Sequence, residues 1–165
     1  RCGISCLKRV DGSLSNDPKE KAELLNKYFA SVFTMDDGCS HILPSRVSTG
    51  EGLSSVTFTS SKVFTKLNKL RPGTTCGPDG IQAELLKNTS SSLSFPLAQL
   101  YQFLFSSSTV PREWKLASVT PIFKKGKPCD VGNYRPISLT SVCCKIMEST
   151  VKDDLLTYLA YFLSI

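Results

Sequence analysis

The stretch that most limits how this chain can fold runs from Leu116 to Leu139. "LASVTPIF" is apolar and β-branched with an alternating character, so it reads as a strand. "KKGKPCDVGN" follows, and two glycines and a proline make it turn chemistry. Pro136 then disfavours helix at Arg135, so Arg135 to Leu139 reads as a second extended piece. The expectation is an antiparallel hairpin over about Ala117 to Ile137 with a basic loop at its tip.

Helical patterns surround this hairpin. In "SNDPKEKAELLNKYFASVFT", Asp17 is placed to cap a helix, Pro18 suits its first position, and Glu20 completes a capping box. Leu24, Leu25, Tyr28, Phe29, Val32 and Phe33 follow the helical period and predict one apolar face. From Asp36 to Glu51 the chain is polar and reads as a linker or surface loop. A second helix is expected over Ser60 to Leu70, with Val63, Phe64, Leu67 and Leu70 inward. "RPGTTCGPDG" breaks it, and Asp79 is placed to cap a short helix carrying Ile81, Leu85 and Leu86. A longer helix is expected over Leu93 to Phe105, with Leu97, Leu100, Tyr101, Leu104 and Phe105 inward and Pro96 in its first turn. A last helix runs from Ser141 to Leu159, burying Val142, Ile146, Val151, Leu155 and Leu159. No internal repeat is present.

The 165 residues are enough for one ordinary domain with a core. Arg1 at the start and the apolar "LLTYLAYFLSI" at the end both look cut, so a fragment of something longer is expected. No signal peptide is visible, and the apolar run of Leu155 to Ile165 falls short of the roughly 20 residues a membrane span takes. The seven cysteines form no C-x-x-C pair, and His41 is the one histidine. Reduced structural thiols in a cytoplasmic or nuclear protein are therefore expected, rather than a zinc site. Cys143 and Cys144 read as small apolar residues on a helix.

Net charge is +6, and its location matters more than its size. Residues 1 to 37 balance six basic against six acidic side chains. Residues 112 to 135 hold Arg112, Lys115, Lys124, Lys125, Lys127 and Arg135 against Glu113 and Asp130, a local excess of +4. Such a patch suits phosphates; charge alone equally allows a solvated surface that aids solubility. A triphosphate needs charges at fixed distances. Lysine offers a point charge and arginine a planar fork for two oxygens. Pro136 stiffens the backbone beside Arg135, while Gly126 and Gly132 permit close approach and tight turns.

Three blocks occur in order: "GPDGI" at 77–81, "W-K-x-A-x-V-x-P-I-F-K-K-G" at 114–126, and "NYRPISL" at 133–139. With the upstream "DGSLSNDPKEKAELLNKYFASVF", they resemble the reverse transcriptase of non-LTR (LINE-like) retrotransposons over roughly residues 7 to 155. The resemblance implies an α+β, mainly helical fold: the fingers, and the start of the palm, of a right-hand polymerase with one antiparallel β-hairpin. Residues 1–56 would lead into the domain and residues 57–165 would be the partial domain itself. The hairpin would fold over the nucleotide site, with Arg135 on the triphosphate, Lys124 close by, and Lys125 a further candidate. Gly77, Asp79 and Gly80 would shape the template path, although Asp79 is equally a plain helix cap. Trp114 reads as core or hairpin support before a base-stacking platform.

The resemblance also implies partners: an RNA template, a DNA primer or target, and deoxynucleoside triphosphates, with no membrane and no stated oligomeric state. The complete family enzyme would use Mg2+ held by carboxylates. "TMDD" at 34–37 and "VKDD" at 151–154 read as solvated acidic pairs, so no bound metal and no catalytic residue are expected in this chain alone. The last ten residues depart from the family pattern. Two other readings stay open: a non-catalytic basic nucleic-acid-binding module, and an inert remnant that binds nothing.

Overall fold

The computed structural model describes residues 3–34 and 55–163, the last two by their backbone alone. These residues form two compact units. The first holds residues 3–34 and 119–138, the second residues 55–118 and 139–163. The division expected at residue 56 assigned the basic hairpin to the second part of the chain; in the structure it shares a compact unit with the N-terminal segment.

The first unit opens with a hairpin that the sequence reading did not anticipate. Strands β1 (Leu7–Lys8) and β2 (Leu14–Ser15) pair antiparallel, with Leu7 opposite Ser15 and Lys8 opposite Leu14. Its turn is closed by the Asp11 carboxylate, which accepts from the Ser13 backbone N–H and hydroxyl, and by Gly12 at φ 90°. The Asp-Gly pair was the available signal. Helix α1 (Pro18–Ser31) follows, and the Asp17 Oδ2 accepts from the Glu20 N–H at 2.8 Å. The second half of the expected capping box does not form. The Glu20 carboxylate instead accepts from Nε and Nη2 of Arg9 and from the Ser15 hydroxyl. A guanidinium fork outcompetes a lone backbone N–H for that carboxylate. Leu25 and Phe29 of α1 are buried with Leu7 and Tyr134, flanked by Ile4, Leu24, Tyr28 and Val131. Val32 and Phe33, expected on the buried face, lie past the last helical turn and are exposed.

The bond from Arg9, followed by that from Ser15, holds the Glu20 carboxyl down to about 2. Its ordinary value is 4.5. A depressed folded-state value makes the contribution to stability complete above 4.5 and lost as pH falls toward 2. Glu20→Gln should therefore flatten the acid limb of a thermal-stability profile in that window. An equally steep loss in the variant would assign the acid sensitivity elsewhere.

The second unit is helical. α2 (Ser60–Asn68) is capped by the Thr59 hydroxyl, which accepts from the Lys62 N–H. It buries Val63 and Leu67, one turn apart, and leaves Phe64 outside that narrow stripe. α3 (Ala83–Asn88) buries Ala83 and Leu86 but exposes Leu85. Asp79 does not cap it: Gln82 holds that position with no side-chain bond, and the Asp79 Oδ1 accepts from the Ile81 N–H two residues on. α4 (Ser90–Ser106) starts three residues earlier than expected, which leaves Pro96 inside the helix rather than in its first turn. It buries Ala98, Tyr101 and Leu104, while Leu100 and Phe105 stay exposed. α5 (Val142–Leu163) buries Val142, Cys143 and Ile146 along its first turns and exposes Leu155.

Tyr101 is the hub of this core. Fully buried, it donates to the Cys143 carbonyl at 2.9 Å and contacts the rings of Phe58 and Trp114. Trp114 is thus core support. Burial pushes the Cys143 and Cys144 thiols up to about 11, which keeps both protonated and inert as nucleophiles. Among the described residues, no helix is long and apolar enough to cross a membrane.

Candidate nucleic-acid interface

Strands β3 (Ser118–Phe123) and β4 (Tyr134–Leu139) pair as the expected antiparallel hairpin. The Lys124 N–H donates to the Asn133 carbonyl at 2.8 Å, which sets the neck of the loop. Inside the loop, Asp130 N–H bonds Lys127 O, Asn133 N–H bonds Asp130 O, and the Asn133 side-chain amide also donates to Lys127 O. Gly126 adopts φ 95°, and a Cβ there would lie 2.7 Å from the Asn133 amide nitrogen. Only glycine fits that corner.

The loop has a floor built by the N-terminal segment. The Tyr134 hydroxyl and the Ser5 hydroxyl both donate to the Pro128 carbonyl, at 2.7 and 3.2 Å. The Lys8 N–H donates to the Cys129 carbonyl at 2.8 Å. The Tyr28 ring lies against Gly132. The basic ribbon is thus held at three backbone positions, Pro128, Cys129 and Gly132, while its cations are left free. Lys124, Lys125, Lys127 and Arg135 are all exposed, and among the described residues none of their side chains makes a hydrogen bond or an ion pair.

Strand alternation sorts this surface. The rings of Phe123 and Tyr134 meet at 5.6 Å on one face of the ribbon, where Tyr134 is buried in the unit's core. Lys124 and Arg135, one residue on from each, therefore point to the opposite face, together with the exposed Ile122 and Ile137. That face combines two cations with apolar surface. It offers phosphate oxygens a charge and a fork, and offers a flat ring a dry neighbour.

Gly77, Asp79 and Gly80 lie in the second unit and Lys124, Lys125 and Arg135 in the first. Gly77 is buried: a Cβ there would come 2.6 Å from the Thr140 carbonyl carbon and 2.7 Å from the Ser141 nitrogen. The sequence resemblance puts it on a template path; in the structure it packs closely against the backbone at the β4–α5 junction. Gly80, at φ 68°, closes a turn onto the Gly77 carbonyl at 3.1 Å and stays exposed with Asp79. The exposed half of the loop, Asp79 and Gly80, remains open to a ligand.

The carboxylates of "VKDD" do not fit a divalent metal. Asp154 faces the Lys62 ammonium at 2.7 and 2.8 Å, and Asp153 pairs with Lys66, which also donates to Ser149. Each acid on α5 already has its counter-charge, so a metal would have to displace an ammonium from both. They are paired rather than merely solvated, which their sequence context did not reveal. Asp36 and Asp37 of "TMDD", with Cys2, Cys39 and His41, lie outside the described residues. Among the described residues, no group of three or more His, Cys, Asp or Glu side chains could hold a metal ion.

No family model matches the chain. Over 62 residues it is 42% identical to the "RNA-directed DNA polymerase from mobile element jockey" of Drosophila melanogaster, covering 37% of this chain and 7% of that protein. Over 80 residues it is 32% identical to the "Probable RNA-directed DNA polymerase from transposon BS" of the same organism, covering 48% of this chain and 9% of that protein. The chain is thus similar, over part of its length, to RNA-directed DNA polymerases of mobile elements, and the matches span less than a tenth of each relative.

Proposed function

We propose that this chain is a nucleotide- and template-gripping part of a non-LTR reverse transcriptase, corresponding to the fingers and the start of the palm of a right-hand polymerase. The observation that carries this reading is the pinned ribbon: Lys124 and Arg135 are exposed and, among the described residues, unpaired, on one face of a loop whose backbone is held at Pro128, Cys129 and Gly132. The partial similarity to two RNA-directed DNA polymerases supports it independently. Arg135 takes the triphosphate with its fork, Lys124 adds a point charge, and Lys125 joins at the loop tip. Asp79 and Gly80 present the template-facing turn, with Gly77 as its anchor. The partners that follow are an RNA template, a DNA primer or target and deoxynucleoside triphosphates, inside the cell.

Mg2+ supplies the complete family enzyme with activation of the attacking hydroxyl and charge neutralisation at the phosphates. The carboxylates described above do not fit it, so no step is assigned to a metal here. The chain on its own should bind and position without transferring a nucleotidyl group. Purified protein given an RNA template, an annealed DNA primer, all four deoxynucleoside triphosphates and either Mg2+ or Mn2+ is expected to give no primer extension. Any extension above a no-protein control would overturn the absence of catalytic carboxylates.

A second reading, a non-catalytic basic nucleic-acid module, draws on the same free lysines. Calorimetric titration separates the two. A nucleotide site prefers a nucleoside triphosphate to the monophosphate. A backbone-binding module ignores free nucleotides and binds any nucleic acid with steep salt dependence.

A further inference from the structure

The connection between α2 and α3 carries a cation that the basic ribbon does not account for. Residues 70–81 hold two charged side chains, Arg71 and Asp79. The entry to this loop is held from α3, where the Lys87 ammonium donates to the Leu70 carbonyl at 3.1 Å. The Thr74 hydroxyl donates to the Arg71 carbonyl at 2.7 Å. Pro72 confines Arg71 to extended backbone. Further along, Gly77 packs against the backbone of Thr140 and Ser141. Arg71 itself is exposed, and among the described residues its guanidinium makes no hydrogen bond and no ion pair. The neighbouring charges are engaged. Asp79 Oδ1 accepts from the Ile81 N–H at 3.2 Å, and Lys87 holds the Leu70 carbonyl. Lys69 lines a groove between α2 and α5 together with Asp153 and Asp154.

Resting on the template role proposed above for Asp79 and Gly80, we propose that Arg71 binds a backbone phosphate of the RNA template. Nucleic-acid strands are held largely through their phosphates, by Arg, Lys and hydroxyl side chains. Asp79 and Gly80 offer a phosphate no positive charge, and Arg71 supplies one from the same loop. A triphosphate needs several charges at fixed distances. A phosphodiester carries one charge shared by two oxygens, which one planar fork matches. Arg71 is the single cation of its loop, so the phosphodiester is its ligand. The exposed Thr75 hydroxyl follows in the same loop as a further donor. The Arg71–Pro72 pair repeats the Arg135–Pro136 pair of the ribbon. In both, a proline stiffens the backbone beside an exposed fork, which lowers the entropy lost on binding. The contact carries no sequence preference, because it touches no base.

Fluorescence anisotropy of the whole chain with a labelled oligouridylate, over a range of salt, tests this. Arg71→Ala is expected to weaken RNA binding about three- to tenfold, the loss of one charge-assisted contact. It should also flatten the slope of log K against log salt by about 0.7, the share of one phosphate on a single strand. Its affinity for a deoxynucleoside triphosphate and its thermal midpoint should not change. Arg71→Lys should keep the slope and lose part of the affinity, because the charge stays and the fork goes. Lys152→Ala removes another exposed charge, from α5, and should leave RNA binding within about twofold. A loss in Arg71→Ala no larger than that in Lys152→Ala would reduce the effect to net charge and overturn the proposal. So would an equal loss of triphosphate affinity, or an unmodified chain that binds no RNA. Arg135→Ala, measured alongside, separates this inference from the reading beneath it. If Arg135→Ala loses the triphosphate while Arg71→Ala keeps the RNA, the phosphate anchor alone fails. If Arg71→Ala loses the RNA while Arg135→Ala keeps the triphosphate, the nucleotide site fails and the anchor stands.

Discussion

Arg135→Ala is expected to weaken binding of a deoxynucleoside triphosphate by roughly ten- to a hundredfold, the loss that follows from removing one charge-assisted, bidentate contact. The thermal midpoint of the protein should not move. Arg135 is exposed, and no side chain among the described residues depends on it. The carbonyl anchors of the ribbon belong to Pro128 and Cys129, so the loop keeps its shape when the guanidinium goes. Arg135→Lys should fall between the two, because it keeps the charge and loses the fork. Lys127→Ala should cost less than Arg135→Ala and should lose its effect in salt, since Lys127 lies out along the loop. Fluorescence or calorimetric titration with a triphosphate reads all three. Equal affinity of Arg135→Ala and the unmodified chain would remove the nucleotide site from this face.

The second large effect is on stability. Gly77→Ala should destabilise the fold by about 1–3 kcal/mol, the usual cost of forcing a methyl into a closed space. For a chain of this size each kcal/mol corresponds to about 2–4 °C in Tm. The new Cβ would lie 2.6 Å from the Thr140 carbonyl carbon. Its neighbours are backbone atoms, which no rotamer change can clear. Gly80→Ala supplies the contrast. Its φ of 68° strains an alanine, but nothing lies within 4 Å of the added carbon. The expected order is a larger loss at Gly77 than at Gly80. The reverse order would mean that backbone conformation, not close packing, accounts for the glycines of "GPDG".

How far these features were legible varies with the kind of signal. Apolar periodicity located α1, α2, α4 and α5, because Leu25, Phe29, Val63, Leu67, Tyr101 and Ile146 recur at the spacing a buried stripe demands. The hairpin was equally legible, since the two glycines and the proline before Asn133 leave a chain reversal as the simplest arrangement. What failed were assignments that depend on competition for a partner. Asp79 and Glu20 both stood at capping positions. Each was drawn elsewhere, to the Ile81 N–H and to Arg9, because side-chain partners distant in sequence or a tight local turn offered better geometry. The wide apolar face read into α1 narrowed for a different reason. Period alone does not say where a helix stops, and Val32 and Phe33 fall beyond its end. Gly77 was noticed for its place in a motif, yet its burial comes from a backbone neighbour more than sixty positions away, which no local pattern encodes. The free cations of the ribbon were legible as charge, but the floor beneath them was not, because Ser5 and Lys8 carry no mark of their distant partners.

That floor has a bearing on how the protein is made. Ser5 and Pro128 are 123 positions apart in the chain, so the closure that seats the loop is among the most entropically expensive steps of folding, and non-local closures of this kind come late. During synthesis the β1–β2 hairpin and α1 emerge before Tyr134, whose arrival completes the cluster that buries Leu7 and Phe29. The Lys8 amide hydrogen, whose acceptor is Cys129, is consequently a clock: the moment it stops exchanging with solvent is the moment the ribbon acquires its grip.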